Sequence, residues 1–213
     1  MADIPTTQRA WRFVRRGDPT TALEFEQSLP VPSELAEGQV LVRVATGALN
    51  PVGTAIMKLF PTWLSGPPLV AQNDLAGTIV ASKDPARPVG SRVIGFIPVQ
   101  LQIKTKQGAL QEYARLPGDH TVFLPPNLKF EEGAFALAAE TAYQELFVNH
   151  KLKEGQKVFV NGVTSTVGAF AVQIAKSMGC EVWGSASAKN EALAKSLGVD
   201  VVSVAHMMSR YEC

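Results

Sequence analysis

The sequence predicts an α/β plus β protein, with an antiparallel β domain over residues 1–125 and an α/β domain over residues 126–213. In the first part, short apolar runs alternate with Pro and Gly, a pattern typical of antiparallel strands and their turns. In the second part, apolar strands alternate with helices, which indicates right-handed βαβ units and a parallel sheet. The composition, 46% hydrophobic and 18% charged, is that of a globular protein.

The first domain contains five predicted strands, at residues 9–13, 39–46, 75–81, 92–96 and 109–116. The segment 51–70 breaks this pattern, because TAIMKLF favours a short helix and PTWLSGPP is rich in turn-forming residues. Connections of this length between strands are often functional.

In the second domain, the alanine-rich stretch 131–148 carries apolar residues at helical spacing and begins with two acidic residues, which favours a helix. Further strands are predicted at residues 157–160, 181–187 and 200–204, with helices at 165–179 and 189–198. Each strand therefore leads directly into a helix that returns the chain to the sheet.

The loop Asn161–Gly168, with the sequence NGVTSTVG, connects the first of these strands to a helix. Small residues here allow a tight turn and bring backbone N–H groups close to a phosphate, and the helix N-terminus favours an anion. The predicted cofactor-binding residues of this loop are Gly162, Thr164, Ser165, Thr166, Val167 and Gly168. The alternative is an ordinary turn that binds nothing, in which Gly168 serves only helix packing.

The end of the second strand bears on the choice of dinucleotide. An NAD site places Asp or Glu there to bind the ribose hydroxyls. This strand offers Ser185, Ser187 and Lys189 instead, which suit a 2′-phosphate. We therefore expect NADPH as the cofactor, held by Ser187 and Lys189, although Lys189 could also be an ordinary exposed lysine. The missing carboxylate argues against an S-adenosylmethionine methyltransferase as well.

Charge, hydropathy and cysteine content narrow the function classes. A formal charge of +1 gives no reason to expect a nucleic-acid or anionic membrane partner. No stretch approaches the ~18 uninterrupted apolar residues of a membrane span, and the start lacks the apolar core of a signal peptide. Two cysteines, Cys180 and Cys213, fit a reducing compartment, so we expect a cytoplasmic protein. The three histidines, His120, His150 and His206, lack the spacing of metal ligands, and we expect no metal site.

Six ordered motifs carry a family resemblance, at residues 48–53 (ALNPVG), 74–80 (DLAGTIV), 112–114 (EYA), 141–142 (TA), 173–179 (QIAKSMG) and 195–200 (KSLGVD). With them the chain resembles the medium-chain dehydrogenase/reductases of the zinc-free quinone oxidoreductase and enoyl reductase branch. The resemblance implies a GroES-like β-barrel domain followed by a Rossmann domain. The position of the zinc-binding GHE motif in related alcohol dehydrogenases reads Gln72-Asn73-Asp74 here, which removes the ligand set.

The resemblance also implies roles for single residues. Asn50 would lie at the nicotinamide and orient the substrate carbonyl as the catalytic residue, and Thr141 would contact the cofactor. Each has a structural alternative, since Asn-Pro commonly starts a turn and a helical threonine can bond its own backbone. Some enoyl reductases of the family supply a tyrosine proton donor near Phe60, which has no proton to give, so the donor is unassigned.

This sequence departs from the family in three places. Ser165 and Thr166 replace glycines of the usual phosphate loop, and we expect their hydroxyls to take part in binding. Gly53 replaces an acidic residue and removes a hydrogen bond. The match ends near Val201, and the tail VSVAHMMSRYEC fits no family pattern. We therefore expect a C-terminally truncated chain with a partial Rossmann sheet that does not sustain turnover.

The function that the resemblance implies is a metal-independent, NADPH-dependent reduction of a small molecule, either a quinone or the activated C=C bond of an enone or enoyl thioester. The alternative is an inactive, truncated remnant that binds a nucleotide weakly, or binds a partner protein through its GroES-like domain. The sequence leaves open whether the chain is a monomer or a homo-oligomer. It does not identify the substrate, because pocket loops vary freely within a fold.

Overall fold

The computed structural model describes residues 4–59 and 68–205. The chain divides into two compact units, Met1–Ala136 and Leu137–Cys213. The first is a β domain and the second an α/β domain with a parallel sheet, as the sequence predicts. Residues just beyond 125 still pack on the first unit, where the Arg92 guanidinium lies 4.7 Å from the centre of the Phe130 ring.

Within residues 4–59 and 68–136, the first unit contains eight strands and three α-helices. The strands are β1 (Thr7–Phe13), β2 (Leu23–Pro30), β3 (Gln39–Ala48), β4 (Leu69–Val70), β5 (Asp74–Ser82), β6 (Arg92–Phe96), β7 (Tyr113–Pro117) and β8 (Thr121–Phe123). The helices are α1 (Pro19–Ala22), α2 (Pro51–Leu59) and α3 (Val99–Thr105). One antiparallel sheet has the order β7-β3-β5-β6-β8, and the other has the order β2-β1-β4.

The core of the first unit lies against the five-stranded sheet, where alternate residues of β3 and β5 point inward. Val40, Val42, Leu75 and Ile79 are fully buried there. Gly77 in β5 faces the partner strand so closely that a Cβ atom would lie 2.2 Å from the carbonyl oxygen of Arg43. The same strand pairing places Asp74, the first residue of β5, opposite Ala48 at the end of β3.

The second unit begins with a helix, α4 (Ala136–Tyr143), that continues as a π-helical segment over Gln144–Asn149. The remaining elements are β9 (Lys157–Val160), α5 (Thr166–Ser177), β10 (Glu181–Ser187), a 3₁₀ turn (Ala188–Asn190), α6 (Glu191–Ser196) and β11 (Val201–Ala205). The three strands are parallel in the order β11-β10-β9, which is the order of one half of a Rossmann sheet.

The helices of the second unit cover one face of this sheet. Val182 on that face is fully buried among Val172, Ala175 and Ala194. The opposite face presents Phe159, Trp183 and Val201 side by side in register, with exposed fractions of 62%, 42% and 42%. The described part of the unit therefore has one packed and one open sheet face.

Two predicted elements begin later than expected. The helix predicted from residue 131 starts at Ala136, because a 3₁₀ turn over Phe130–Glu132 and Gly133 precede it. The strand predicted from residue 109 starts at Tyr113, since the preceding residues make loop hydrogen bonds to residues 71 and 72. Among the described residues, no helix is long and apolar enough to cross a membrane.

Asp200 connects three elements of the second unit. Its carboxylate lies 2.8 and 2.9 Å from Lys176 Nζ and accepts the backbone N–H of Val182 at 2.6 Å. These contacts, first with Lys176 and then with Val182, lower the pKa of Asp200 below its ordinary value of 3.8. The charged carboxylate therefore stabilises the fold above the unfolded-state pKa, and this contribution is lost as the pH falls through the lower folded-state pKa.

We expect Asp200→Asn to lower the melting temperature of the second unit at neutral pH, because the ionic contacts to α5 are lost. The difference from the wild type should shrink between about pH 5 and pH 2, where the wild-type carboxylate also becomes neutral. Thermal melting across this range measures it. The control is Glu191→Gln, in an exposed pair with Lys195 four residues on, which should change little. A pH-independent difference for Asp200→Asn would contradict the assignment.

Candidate functional site: the loop between β9 and α5

The loop after β9 turns sharply because two glycines meet. Gly162 has φ +74°, in the left-handed region that favours glycine. A Cβ atom on Gly168 would lie 2.2 Å from the carbonyl oxygen of Gly162, so the first turn of α5 approaches the start of the loop directly. Residue 168 must therefore be glycine for the loop and the helix to pack in this way.

Ser165 caps helix α5. Its hydroxyl accepts the N–H of Gly168 at 3.1 Å and donates to the carbonyl oxygen of Gly162 at 2.8 Å. The sequence predicts that this hydroxyl takes part in phosphate binding, whereas here it holds the helix terminus to the loop. The role that the structure gives Ser165 is thus that of an N-cap.

The first two residues of α5 carry backbone N–H groups that suit a ligand at the helix N-terminus. Thr166 and Val167 occupy the first two helical positions, whose N–H groups have no intrahelical acceptor. Thr166 is exposed. Val167 is half-buried and packs in an apolar cluster formed by α4, the π-helical segment, β9 and α5. These N–H groups and the favourable end of the helix dipole suit a phosphate.

The end of β10 and the turn after it lie beside the loop. The Asn190 side-chain amide donates to the Thr164 hydroxyl at 3.3 Å, which joins this turn to the loop. Ser187 is the last residue of β10 and half-buried, and Lys189 is exposed in the 3₁₀ turn. No ion pair involves Lys189 within the described ranges, so its ammonium is available to an anion. The structure thus joins the turn that contains Lys189 to Thr164 of the loop.

A cleft of about 600 Å³ lies along β9 and the start of the loop. Asn161, Ser165 and Gly168 line it from the loop, and Leu146 and Phe159 contribute apolar surface. The volume is in the range of small-molecule sites.

Asn50 belongs to the first unit, where neighbouring polar groups hold it. Its backbone N–H donates to the side-chain oxygen of Gln72 at 2.9 Å, and its side-chain amide donates to the Asp74 carboxylate at 3.0 Å. Gln72 and Asp74 are 5% and 1% exposed, so both acceptors are fixed in the core, whereas Asn50 is half-buried. The second N–H and the oxygen of the Asn50 side chain make no hydrogen bond to residues 4–59 or 68–205, so they can serve a ligand.

The same cluster explains one departure from the family pattern. A Cβ atom on Gly53 would lie 2.5 Å from the Gln72 side-chain nitrogen. The glycine that replaces the family's acidic residue therefore makes room for Gln72, which in turn bonds Asn50. This compensation between residues 53 and 72 is not visible in the sequence, because nothing in the pattern pairs the two positions.

Thr141 lies in α4, where its hydroxyl donates to the carbonyl oxygen of Leu137 at 2.7 Å. From the sequence, a bond of this kind to its own helix backbone is the structural alternative to a contact between Thr141 and the cofactor. Phe60, His206 and Cys213 lie outside the described residues. Within the described ranges, no group of three or more His, Cys, Asp and Glu side chains is arranged to hold a metal ion.

Four residues that hold the loop or Asn50 in place were not predicted from the sequence. They are Asn161, Asn190, Gln72 and Asp74. The first two flank predicted site residues and are polar, so their position beside the loop was a usable signal. For Gln72 and Asp74, the sequence indicated only that zinc ligands are missing at these positions. Their contact with Asn50 could not be predicted, because Asn50 is more than twenty residues away in the chain.

Comparison with known proteins agrees with this geometry. Residues 36–126 match the alcohol dehydrogenase GroES-like domain family. The trans-enoyl reductase pgmF of Aspergillus terreus is 34% identical over 93% of this chain, and human quinone oxidoreductase is 34% identical over 87%. These matches confirm the expected resemblance to the medium-chain dehydrogenase/reductases. The fold is also that of a mycobacterial protein solved in complex with NADPH, with a TM-score of 0.77 at 24% identity.

The chain spans part of each of these proteins. It covers 59% of the length of pgmF, 55% of the human enzyme and 59% of the mycobacterial structure, while that structural match covers 94% of this chain. By name, pgmF is a trans-enoyl reductase and the human relative is a quinone oxidoreductase. The regions matched in both proteins include the two units described here.

We expect Ser165→Ala to lower the free energy of unfolding of the second unit by about 1 kcal/mol, the usual cost of losing an N-cap. Ser165→Asn should restore most of this stability, because asparagine caps helices as well as serine does. Urea denaturation measures both variants. Equal stability of the alanine variant and the wild type would show that the hydroxyl does not cap α5.

Proposed function

We propose that this chain is the dinucleotide-binding and GroES-like part of an NADPH-dependent reductase that acts without a metal. The observation that carries the proposal is the loop between β9 and α5, in which Gly168 packs against Gly162 and the first helical N–H groups have no intrahelical acceptor. The names of the relatives, trans-enoyl reductase and quinone oxidoreductase, support a reductase. The two cysteines support a cytosolic location.

The residues present fit the proposed cofactor. The missing side chain at Gly168 lets the loop pack on the first turn of α5. The N–H groups of Thr166 and Val167, at the start of this helix, are suitable donors for a pyrophosphate. Ser187 and Lys189, at the end of β10, would bind the 2′-phosphate by hydrogen bonding and charge. An acidic residue at this strand end, as an NAD site needs, is absent from residues 185–190.

When bound, the nicotinamide would supply a hydride to the substrate. The contribution of this chain to the reaction would be positioning. Asn50, fixed by Gln72 and Asp74, would use its remaining N–H to orient a substrate carbonyl. Thr141 would contact the cofactor as a hydrogen-bond acceptor, since its hydroxyl hydrogen is donated within α4.

The proposed substrates are quinones and compounds with an activated C=C bond, such as enones and enoyl thioesters. An activated C=C bond takes a hydride at its β-carbon and a proton at its α-carbon, and a quinone takes a hydride and a proton to become a hydroquinone. Polarising the carbonyl favours both reactions. NADPH oxidation in the presence of each class distinguishes them. Consumption with neither, in protein that binds NADPH tightly, would favour the alternative of a nucleotide-binding module.

The loop assignment is tested by changing charge at the cap. Ser165→Asp and Ser165→Asn both keep a capping side chain, but only aspartate adds a negative charge beside the proposed phosphate. We expect Ser165→Asp to weaken binding of NADPH and NADH alike, by about tenfold or more, while Ser165→Asn binds close to the wild-type level. Titration calorimetry measures both. Equal affinities for the two variants would contradict phosphate binding at this loop.

The choice of NADPH is tested at Lys189. We expect Lys189→Ala to weaken NADPH binding by about 1 to 2 kcal/mol, the scale of one charge-assisted hydrogen bond, and to leave NADH binding unchanged. Lys195→Ala is the matched control, because Lys195 lies six residues on and pairs with Glu191. Equal losses for both dinucleotides would contradict a 2′-phosphate contact.

A further inference from the structure

We propose that Ser185 is a positioning residue that fixes the phosphate-binding loop, and that it does not itself bind the cofactor. This inference rests on the proposed function only in naming the loop's ligand as a dinucleotide. The sequence groups Ser185 with Ser187 and Lys189 as suited to a 2′-phosphate, and the contacts of the three residues separate Ser185 from the other two.

Ser185 makes hydrogen bonds to three consecutive loop residues. Its hydroxyl accepts the N–H of Gly162 at 2.9 Å and donates to the side-chain oxygen of Asn161 at 2.5 Å. Its carbonyl oxygen accepts the N–H of Val163 at 3.0 Å. Side chain and backbone of one residue in β10 therefore hold the first half of the loop.

The hydroxyl hydrogen of Ser185 is already used. A serine has one O–H donor, and a phosphate oxygen can only accept, so contact with the 2′-phosphate would require Ser185 to release Asn161. Ser187 and Lys189 make no such bond to the loop among the described contacts. The recognition of a 2′-phosphate thus falls to these two residues, and Ser185 has a different task.

The bonds of Ser185 lead directly to the helix cap. By holding the Gly162 N–H, Ser185 fixes that residue in its left-handed conformation at φ +74°. The Gly162 carbonyl then accepts the N–H of Ser165 at 2.9 Å and its hydroxyl at 2.8 Å. Ser165 in turn accepts the N–H of Gly168. A continuous series of hydrogen bonds runs from β10 through the loop to the first turn of α5.

Close packing keeps strand and loop in register for these bonds. A Cβ atom on the preceding Gly184 would lie 2.2 Å from Val163 Cγ1 and 2.6 Å from the Val160 carbonyl oxygen. Val163 itself is fully buried. The loop therefore rests directly on β10, with the Ser185 hydroxyl at the point of contact. A loop held in its binding conformation loses less entropy when it binds.

The experiment compares Ser185→Val with Ser185→Thr, side chains of the same shape that differ in the hydroxyl group. We expect Ser185→Val to weaken NADPH and NADH equally, by about five- to tenfold, because the loop serves both dinucleotides. Ser185→Thr should bind both close to the wild-type level. Ser203→Ala is the control, since Ser203 pairs with Ser185 in the neighbouring strand and is exposed.

Amide hydrogen exchange on the unliganded chain supplies the second readout. In Ser185→Val, exchange of the Gly162 and Val163 amides should be faster than in Ser185→Thr, with the core amides of β10 unchanged. Weaker binding of NADPH alone would overturn the proposal, because it would make Ser185 a phosphate ligand. Unchanged exchange at Gly162 and Val163 would overturn it as well. If the wild type binds neither dinucleotide, the proposed function fails, and the exchange data still decide whether Ser185 fixes the loop.

Discussion

The contact between the Gly162 carbonyl and the α-carbon of Gly168 is the constraint on which the second unit's site depends. The carbonyl occupies the space that a side chain at residue 168 would need. The loop can therefore bend back over the first turn of α5, where the N–H groups of Thr166 and Val167 have no intrahelical acceptor. A larger residue at 168 would separate loop and helix and remove the geometry that suits a phosphate.

In the first unit, buried hydrogen-bond acceptors fix the position of one polar side chain, that of Asn50. Two buried side chains, Gln72 and Asp74, accept hydrogen bonds from Asn50, and Gly53 leaves the space that Gln72 occupies. A buried polar group is costly unless it is bonded, so such a cluster favours a single arrangement. Related alcohol dehydrogenases are expected to place zinc ligands at residues 72–74, where this chain has hydrogen-bonding side chains instead.

The elements whose bounds depend on neighbouring residues were predicted well from the sequence. The strands at residues 92–96, 157–160 and 181–187 appear with the predicted bounds, because alternation and turn residues specify them locally. The β2 strand was not predicted, because none of its residues is buried and it lacks a clear apolar alternation. The start at Tyr113 was not predicted, since its pairing with Arg43 joins residues far apart in the chain. The loop was recognised from its glycines, but the partners of Ser165 and Ser185 depend on which hydrogen bonds the folded backbone leaves open. The roles of Asn50, Thr141 and the loop residues in binding stay predictions.

The most direct test of this account is a titration of the isotope-labelled chain with NADP⁺, followed by amide chemical shifts in solution. The account predicts saturable shifts concentrated at Thr166, Val167 and residues 187–190, where the phosphates would contact the chain. Absence of shifts at Thr166 and Val167 at saturating NADP⁺ would contradict the assignment of this loop as the phosphate site.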